Sequence, residues 1–400
     1  MSQATPVIES LLDTDLYKFT MWMPMLHRHP QTQAEYRFVS RSPAAPALST
    51  LLGELNEQLD QLCSLRFTRH ELDYLGALRY IKSDFVDFLR IFQFQRAFID
   101  ARASGDELQI VARGPQVHVT AFEVFVLAIV NELHSRRTVR PGTLDEGRAR
   151  LQSKIARLRE AGADAAQRRA HPFEFSDFGT RRRHSAAWQR EVVGTLHAQV
   201  PEMFKGTSNV RLSRELGTVP IGTMGHEYLQ TFQGLGVRLR DFQRAALEAW
   251  VQEYRGDLGI ALTDVVGMDA FLSDFDLYFA KLFDGLRHDS GDPIAWGEKA
   301  LAHYARLRID AHSKRLVFSD SLDIERALAL HRHFGDRTQV GFGIGTHLTN
   351  DVGAAPLNVV MKITSVNGQS VAKLSDSPGK TLCDDPAFLA YLRKVFAAAS

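Results

Sequence analysis

The stretch Val219-Pro-Ile-Gly-Thr-Met-Gly-His-Glu-Tyr228 combines residue types suited to chemistry on an anion. An apolar start runs into Gly222-Thr223 and Gly225, and His226 then stands beside Glu227 where a helix is expected to begin. Glycine lets a backbone turn tightly and approach a ligand. A helix start offers unpaired N–H groups and a partial positive charge. Histidine there can act as acid, base or nucleophile near neutral pH. It can equally cap or pack the helix, so the weight rests on whether the pattern recurs.

It does. From residue 171 the chain repeats a short apolar run, a polar or glycine-rich cluster and a helical segment. Phe173-Glu-Phe-Ser leads to Asp177-Phe-Gly-Thr-Arg-Arg-Arg-His184, Met203-Phe204 leads to Gly206-Thr-Ser-Asn209, and the stretch above is the third unit. Ile260-Ala-Leu-Thr leads to Asp264, and Leu282-Phe283 to Gly285-Leu-Arg-His-Asp-Ser-Gly-Asp-Pro293. Leu316-Val-Phe leads to Ser319-Asp-Ser-Leu-Asp323, and Val340 to Gly341-Phe-Gly-Ile-Gly-Thr346. Seven such units imply an α/β fold of parallel strands joined by helical crossovers. An open doubly wound sheet fits. A (β/α) barrel fits better, because each polar cluster follows a strand, where barrels place their sites.

The flanking segments read differently. Asp13-Thr14-Asp15 can cap a helix with Tyr17 and Lys18 in its first turn. Residues 34–41 read as a strand, 42–50 as a loop and 51–89 as helical. Residues 107–112 and 116–120 read as two strands around Arg113-Gly114-Pro115. The apolar run 119–133 is short and contains Glu123, so a buried helix is expected rather than a membrane span. No catalytic constellation stands out before about residue 135. Leu144, Leu151, Ile155 and Leu158 mark one face of an Arg-rich helix whose basic face reads as solvated. Near the C-terminus, residues 359–366 and 369–374 flank Asn367-Gly368, a strong hairpin signal. An antiparallel hairpin does not belong in a parallel barrel and is assigned to the N-terminal strands. The expected division is an N-terminal α+β domain over 1–140, a (β/α) barrel over 141–356, and a returning segment over 357–400.

Composition sets bounds. The chain has 400 residues, 44% hydrophobic and 24% charged, as in globular proteins of more than one core. A formal net charge of +1 gives no bulk attraction to nucleic acid or membranes, so any anion site must be local. Cys63 and Cys383 lack CxxC spacing, which argues against a disulfide framework or a zinc site. No signal-peptide pattern is visible, and a cytoplasmic location is expected.

Gathered at one end of a barrel, the loops supply Arg181, Arg182, Arg183, Arg287, His226, Asp264, Asp289, Asp292 and Asp320. They add the backbone N–H groups of Gly206-Thr207, Ser319 and Gly343-Ile-Gly-Thr346. Arginine forks and glycine-loop amides are phosphate equipment, although a tight turn explains Gly-x-Gly-Thr equally well. Carboxylates can hold sugar hydroxyls, or Mg²⁺ together with substrate phosphates. Phe178 can be core or a platform for a flat ring. The chemistry implied is a multiply phosphorylated sugar plus a planar aromatic.

These residues also carry a resemblance. DFGTRRRHS at 177–185, GTSN at 206–209, GTMGHEY at 222–228 and TDVVGMDAF at 263–271 resemble the bacterial nicotinate phosphoribosyltransferase family. LRHDSGDP at 286–293, VFSDSLD at 317–323, GFGIGT at 341–346, LLDTDLYK at 11–18 and AKLSDSPGK at 372–380 match as well. The resemblance implies an irregular barrel joined to a sandwich built from both termini. It implies transfer of phosphoribose from phosphoribosyl pyrophosphate to nicotinate, driven by ATP through a phosphohistidine, with Mg²⁺ held mainly through substrate phosphates. Tyr17 and Phe178 would sandwich the pyridine, with Arg181 and Arg287 near the phosphates and the nicotinate carboxylate. Asp289 would hold ribose hydroxyls; Gly343, Gly345 and Thr346, with Ser319 and Asp320, would take the 5′-phosphate. His226 would be the phosphorylated residue, oriented by Glu227 and Asp264. In the Gly206–Asn209 loop, Thr207 would contact substrate. Ser208 would favour nicotinate over nicotinamide, whose transferases typically carry an acid there. A head-to-tail homodimer would share its sites, Tyr17 coming from the partner. The alternatives are a nicotinamide phosphoribosyltransferase and a phosphosugar-binding barrel without transferase activity.

Overall fold

The computed structural model describes residues 5–42, 47–168, 170–374 and 383–397. Strands β1 (Gln33–Ser40), β2 (Ile99–Ser104), β3 (Glu107–Pro115), β10 (Val359–Val366) and β11 (Gln369–Ser370) form an antiparallel sheet in the order β11-β10-β1-β3-β2. Strands β4 (Phe175–Asp177), β5 (Phe204–Thr207), β6 (Ile260–Leu262), β7 (Gly285–His288), β8 (Arg315–Phe318) and β9 (Gln339–Ile344) form a parallel sheet in the order β5-β4-β9-β8-β7-β6. The hairpin from the chain's end lies beside its beginning, with Arg37 opposite Lys362. Asn367 and Gly368 have φ 49° and 80°, the left-handed pair that a tight two-residue hairpin turn requires.

The antiparallel sheet differs from expectation at residues 116–120. β3 continues through Gly114 and Pro115 to pair with Ala34 and Gln33. Gln116–Val119 is helical and leads into the helix Phe122–Thr138. Proline ends the ladder because it has no N–H to donate, and its fixed φ suits a helix start. β2 is the partner that periodicity missed, joined to β3 through Gly105 at φ 58°. The stretch Gln116–Thr138 is long and apolar enough to cross a membrane, but 89% of the 18-residue apolar window within it is buried within the fold, which makes it the core helix.

Among the described residues the parallel sheet has six strands rather than seven. The stretch 219–224 joins no ladder, yet it passes between the two edge strands. The Ile221 N–H donates to the Thr207 carbonyl on β5 (3.0 Å), and the Thr223 hydroxyl donates to the Ile260 carbonyl on β6 (3.0 Å). Pro220, lacking an N–H, cannot serve a central ladder. Because the six strands are parallel, the loops that follow them open at one end.

The Arg-rich helix is Thr143–Arg168. Its basic face is occupied by acids, with Arg148 on Glu191, Arg150 on Asp351 and Arg157 on Glu325. That agrees with a solvated face.

Candidate active site

His226 is the first residue of the helix His226–Phe232, with Gly225 as its cap. A Cβ on Gly225 would come within 3.3 Å of the Tyr17 ring and 3.4 Å of the Met21 sulfur, so the helix Leu16–Arg28 sits directly against this turn. His226 Nε2 lies 2.8 Å from Asp264 Oδ1 and 3.7 Å from Asp289 Oδ2. Lys373 Nζ lies 2.8 Å from the same Nε2 and 2.5 Å from Asp264 Oδ2, which also accepts from Ser290 Oγ at 2.5 Å. A single ring nitrogen can donate to Asp264 or accept from Lys373, but not both. Burial alone would raise the Asp264 carboxyl; His226 and Lys373 outweigh it and hold the group well below its ordinary value. An ionised Asp264 favours the Nε2–H tautomer, which leaves the lone pair on Nδ1. Burial and the Lys373 ammonium together outweigh Asp264 at His226 and lower its pKa, so the ring is neutral near pH 7.

Ligand atoms of His226, Asp264 and Asp289 all lie within 4.8 Å of one another, a spacing a cation can bridge. The Lys373 ammonium already neutralises Asp264 there. With Asp264 so engaged, the partly open Asp289 is the carboxylate of this group best placed to meet a cation. Burial would raise Asp289 too, but His226 and Arg287 hold it down. Arg287 Nε is buried without a hydrogen-bond partner among the described residues, as a guanidinium awaiting an anion would be.

A second group lies next to the first. Lys18, 1% exposed, bonds Glu227 Oε1 at 2.5 Å and Glu123 Oε2 at 2.6 Å. Glu123 also accepts from the Tyr17 hydroxyl (3.2 Å) and from Arg181 Nη1 (3.3 Å), and Arg181 lies 5.9 Å from the Tyr17 ring centroid. The expected role of Glu227 is thus corrected. Its carboxylate turns to Lys18 and Thr120 rather than to the histidine beside it, because adjacent helical side chains point different ways. Tyr17 stands against Gly225 and Arg181 of its own chain.

The loops after β4 and β5 form a buried floor. Thr207 Oγ1 donates to Asp177 Oδ2 (2.8 Å), and Gln189 Nε2 does the same (2.7 Å). Burial still pushes the Asp177 carboxyl up to about 6. The Thr207 hydroxyl is thus engaged within the fold. Asp15, the expected cap, makes no side-chain cap bond and instead accepts from Ser208 Oγ at 2.7 Å. Asp13 holds both ends of the Arg183 fork at 2.6 and 2.7 Å, and Arg182 donates to the Val359 carbonyl. Arg181, whose side chain is 46% exposed, keeps N–H groups available to a ligand. Ser319 likewise spends its hydroxyl on Asp289 (2.8 Å) and the His288 carbonyl. Gly343 and Gly345 are explained by packing: a Cβ would come 2.2 Å from the Phe178 ring and 2.9 Å from the Phe178 carbonyl, respectively. Asp320 and Thr346 stay partly open beyond β8 and β9.

Sequence reasoning missed Lys18, Glu123, Lys373 and Ser290. Lys373 lies in a quoted motif whose residues 375–380 fall outside the described ones. Glu123 had a usable signal, since a carboxylate inside an apolar run must find a partner.

Ser208 is buried and faces Asp15, so a carboxylate placed there would meet Asp15 first. Ser208→Asp should destabilise the fold at neutral pH by about 1–4 kcal/mol, the Coulomb cost of two carboxylates some 4 Å apart in water-like to surface-like surroundings. Acid should relieve it. Equal unfolding free energies for variant and parent at neutral pH would contradict this.

Comparisons with known proteins agree with the motif reading. Residues 173–400 match the nicotinate phosphoribosyltransferase (NAPRTase) family, and residues 12–131 match its N-terminal domain. A nicotinate phosphoribosyltransferase from Herminiimonas arsenicoxydans is 65% identical over 391 residues, 98% of each chain. One from Chromobacterium violaceum is 60% identical over 396 residues, 99% of this chain and 98% of that one. The crystal structure of nicotinate phosphoribosyltransferase from Vibrio cholerae gives a TM-score of 0.93 at 37% identity, covering 98% of this chain and 94% of that chain. With the motifs in order, both sheets and the His226 cluster in place, this chain belongs to the nicotinate phosphoribosyltransferase family.

Proposed function

We propose that this chain transfers the phosphoribosyl group of phosphoribosyl pyrophosphate to nicotinate, giving nicotinate mononucleotide and pyrophosphate. The step is the first in NAD salvage from nicotinate. The observation that carries the reading is the His226–Asp264–Lys373 cluster with Asp289 and Arg287, at the end of the parallel sheet where the loops open. The pyridine nitrogen attacks the anomeric carbon, and the bond to pyrophosphate breaks with its electron pair leaving on oxygen. Positive charge grows on the ribose beside Asp289, while Arg287 and Arg181 face the anionic groups. Mg²⁺, when bound, supplies charge neutralisation on the phosphates.

ATP coupling belongs to the same proposal. The Nδ1 lone pair of His226 attacks the γ-phosphorus, the bond to ADP breaks, and the phosphohistidine is later hydrolysed. Asp264 holds the Nε2 proton throughout, which keeps the nucleophilic nitrogen fixed. Lys373→Met should raise the His226 pKa by removing a repelling charge. A raised pKa keeps the ring protonated to higher pH, so the acid limb of labelling by γ-labelled ATP should move up. An unmoved limb would tell against Lys373 tuning this histidine.

The same reading takes the parallel sheet as an irregular barrel, with 219–224 filling the gap between β5 and β6. The domains are then 1–140, 141–356 and 357–400, in a cytoplasmic homodimer. Whether sites are shared turns on which copy's Tyr17 faces the pyridine. Mixed Tyr17→Ala and Arg287→Ala subunits should recover about a quarter of parental activity if sites are shared, since about half of the dimers are mixed and each then holds one intact site. No recovery after demonstrated subunit exchange would overturn sharing. The reaction itself is tested by pyrophosphate release with nicotinate, nicotinamide and quinolinate in parallel. Release with nicotinate alone is expected, and none with any base would overturn the proposal.

A further inference from the structure

The helix Phe122–Thr138 is buried almost without a break from Phe122 to Leu133, and Glu123 sits in its first turn between Phe122 and Val124. An ionised group in such surroundings is disfavoured unless its partners are well placed. Both oxygens of Glu123 are used. Oε2 takes the Lys18 ammonium at 2.6 Å and the Tyr17 hydroxyl at 3.2 Å, and Oε1 takes Arg181 Nη1 at 3.3 Å. Lys18 does not depend on Glu123 alone, because Glu227 holds it from the other side at 2.5 Å. Arg181 does: among the described residues its guanidinium makes no other hydrogen bond, and its side chain is 46% exposed. One corner of the fork is thus anchored in the core, the Tyr17 ring lies 5.9 Å away, and the remaining N–H groups are left for a ligand.

We propose that Glu123 is a positioning residue for the pyridine substrate, fixing Arg181 and Tyr17 as one unit so that the open edge of the guanidinium meets the substrate carboxylate. The inference rests on the function proposed above. Glu123 need not touch the substrate. It sets where the cation stands and removes the freedom that an unanchored arginine would lose on binding. The ammonium of Lys18 keeps the carboxylate ionised, so the anchor persists through the neutral pH range.

The test uses the full-length enzyme. Glu123→Gln keeps the shape and removes the charge. It should raise KM for nicotinate about tenfold, as expected for loss of a charge-assisted hydrogen bond. KM for phosphoribosyl pyrophosphate and labelling of His226 by ATP should stay unchanged, as should inhibition by pyridine, which lacks the carboxylate. In a double-mutant cycle, adding Glu123→Gln to Arg181→Lys should cost little more than Arg181→Lys alone. Should the glutamine variant fail to fold, Glu123→Asp keeps the charge but withdraws it from Arg181, and should show the same selective rise in KM. Equal losses for all substrates, or full additivity with Arg181→Lys, would overturn the proposal. If the parent enzyme does not transfer phosphoribose to nicotinate, the functional reading fails instead, and the two failures are told apart by that control.

Discussion

His226→Ala is expected to abolish phosphate incorporation from γ-labelled ATP and all ATP stimulation, while a weak ATP-independent transfer remains. The nucleophile is removed outright, and no other described side chain offers a nitrogen lone pair beside Asp264: Lys373 Nζ is an ammonium held at 2.5 Å from its carboxylate. Residual transfer survives because Arg287 stands on β7, Asp289 on the loop that follows it and Arg181 on the loop after β4, positions that do not depend on the imidazole. The fold should survive as well. The His226 side chain is 21% exposed, and Asp264 keeps Ser290 and Lys373 when the ring is gone. Loss of one hydrogen bond costs about 1 kcal/mol, partly offset by the higher helix propensity of alanine. The check is mass spectrometry and label counting after incubation with ATP, alongside pyrophosphate release with and without ATP. Stoichiometric labelling of the variant would remove His226 from its assigned role.

Lys18→Met should be the most destabilising single change in this region, at about 3–5 kcal/mol, the usual penalty for removing one partner of a buried ion pair. Methionine fills the volume, but Glu123 and Glu227 are left near each other with no ammonium between them. The pH dependence follows from the direction of the shifts. In the parent, burial would raise Glu123, but Lys18 and Arg181 outweigh it and hold the group below its ordinary value. Its stabilisation is therefore present above the unfolded carboxylate pKa and lost in acid. Glu227 runs the other way, raised by burial and by Glu123 despite Lys18. In the variant both carboxyls lose the ammonium and are raised, so their penalty is absent below the unfolded pKa and grows as pH rises through the folded ones. The gap between parent and variant should widen with pH. Urea unfolding at about pH 5 and about pH 8 measures it. A gap that is constant, or narrower at the higher pH, would mean that Lys18 acts through packing rather than charge.

Much of the site was legible because its chemistry is local in sequence. The cluster at 219–228, the carboxylates after β6 and β7, and the Asp292-Pro293 helix start each stand on one short segment. At the last of these, Asp292 Oδ1 accepts from the Ala295 N–H at 2.6 Å. The Asn367-Gly368 turn was equally readable, because only residues tolerant of positive φ suit it. Periodicity failed where an apolar segment suits either structure. Residues 116–120 alternate like a strand, but Gln116–Val119 is helical, because β3 and its proline had already used the edge of β1.

The sequence by itself determined the family, the polar clusters that follow the parallel strands, the return of the C-terminal hairpin and the place of His226 at a helix start. These rest on residue types within a few positions of one another and on turns whose backbone demands are strict. Only the tertiary structure decided what each side chain serves. It gave Glu227 to Lys18 rather than to His226, Ser208 to Asp15, Ser319 to Asp289, and Gly343 to the Phe178 ring. It also brought Lys373 to Asp264 and Glu123 to Arg181 across long stretches of chain. The physical reason is that a buried polar group must be satisfied by whatever packing places within about 3 Å of it. That partner is set by how helices and sheets stack, which no local spacing encodes.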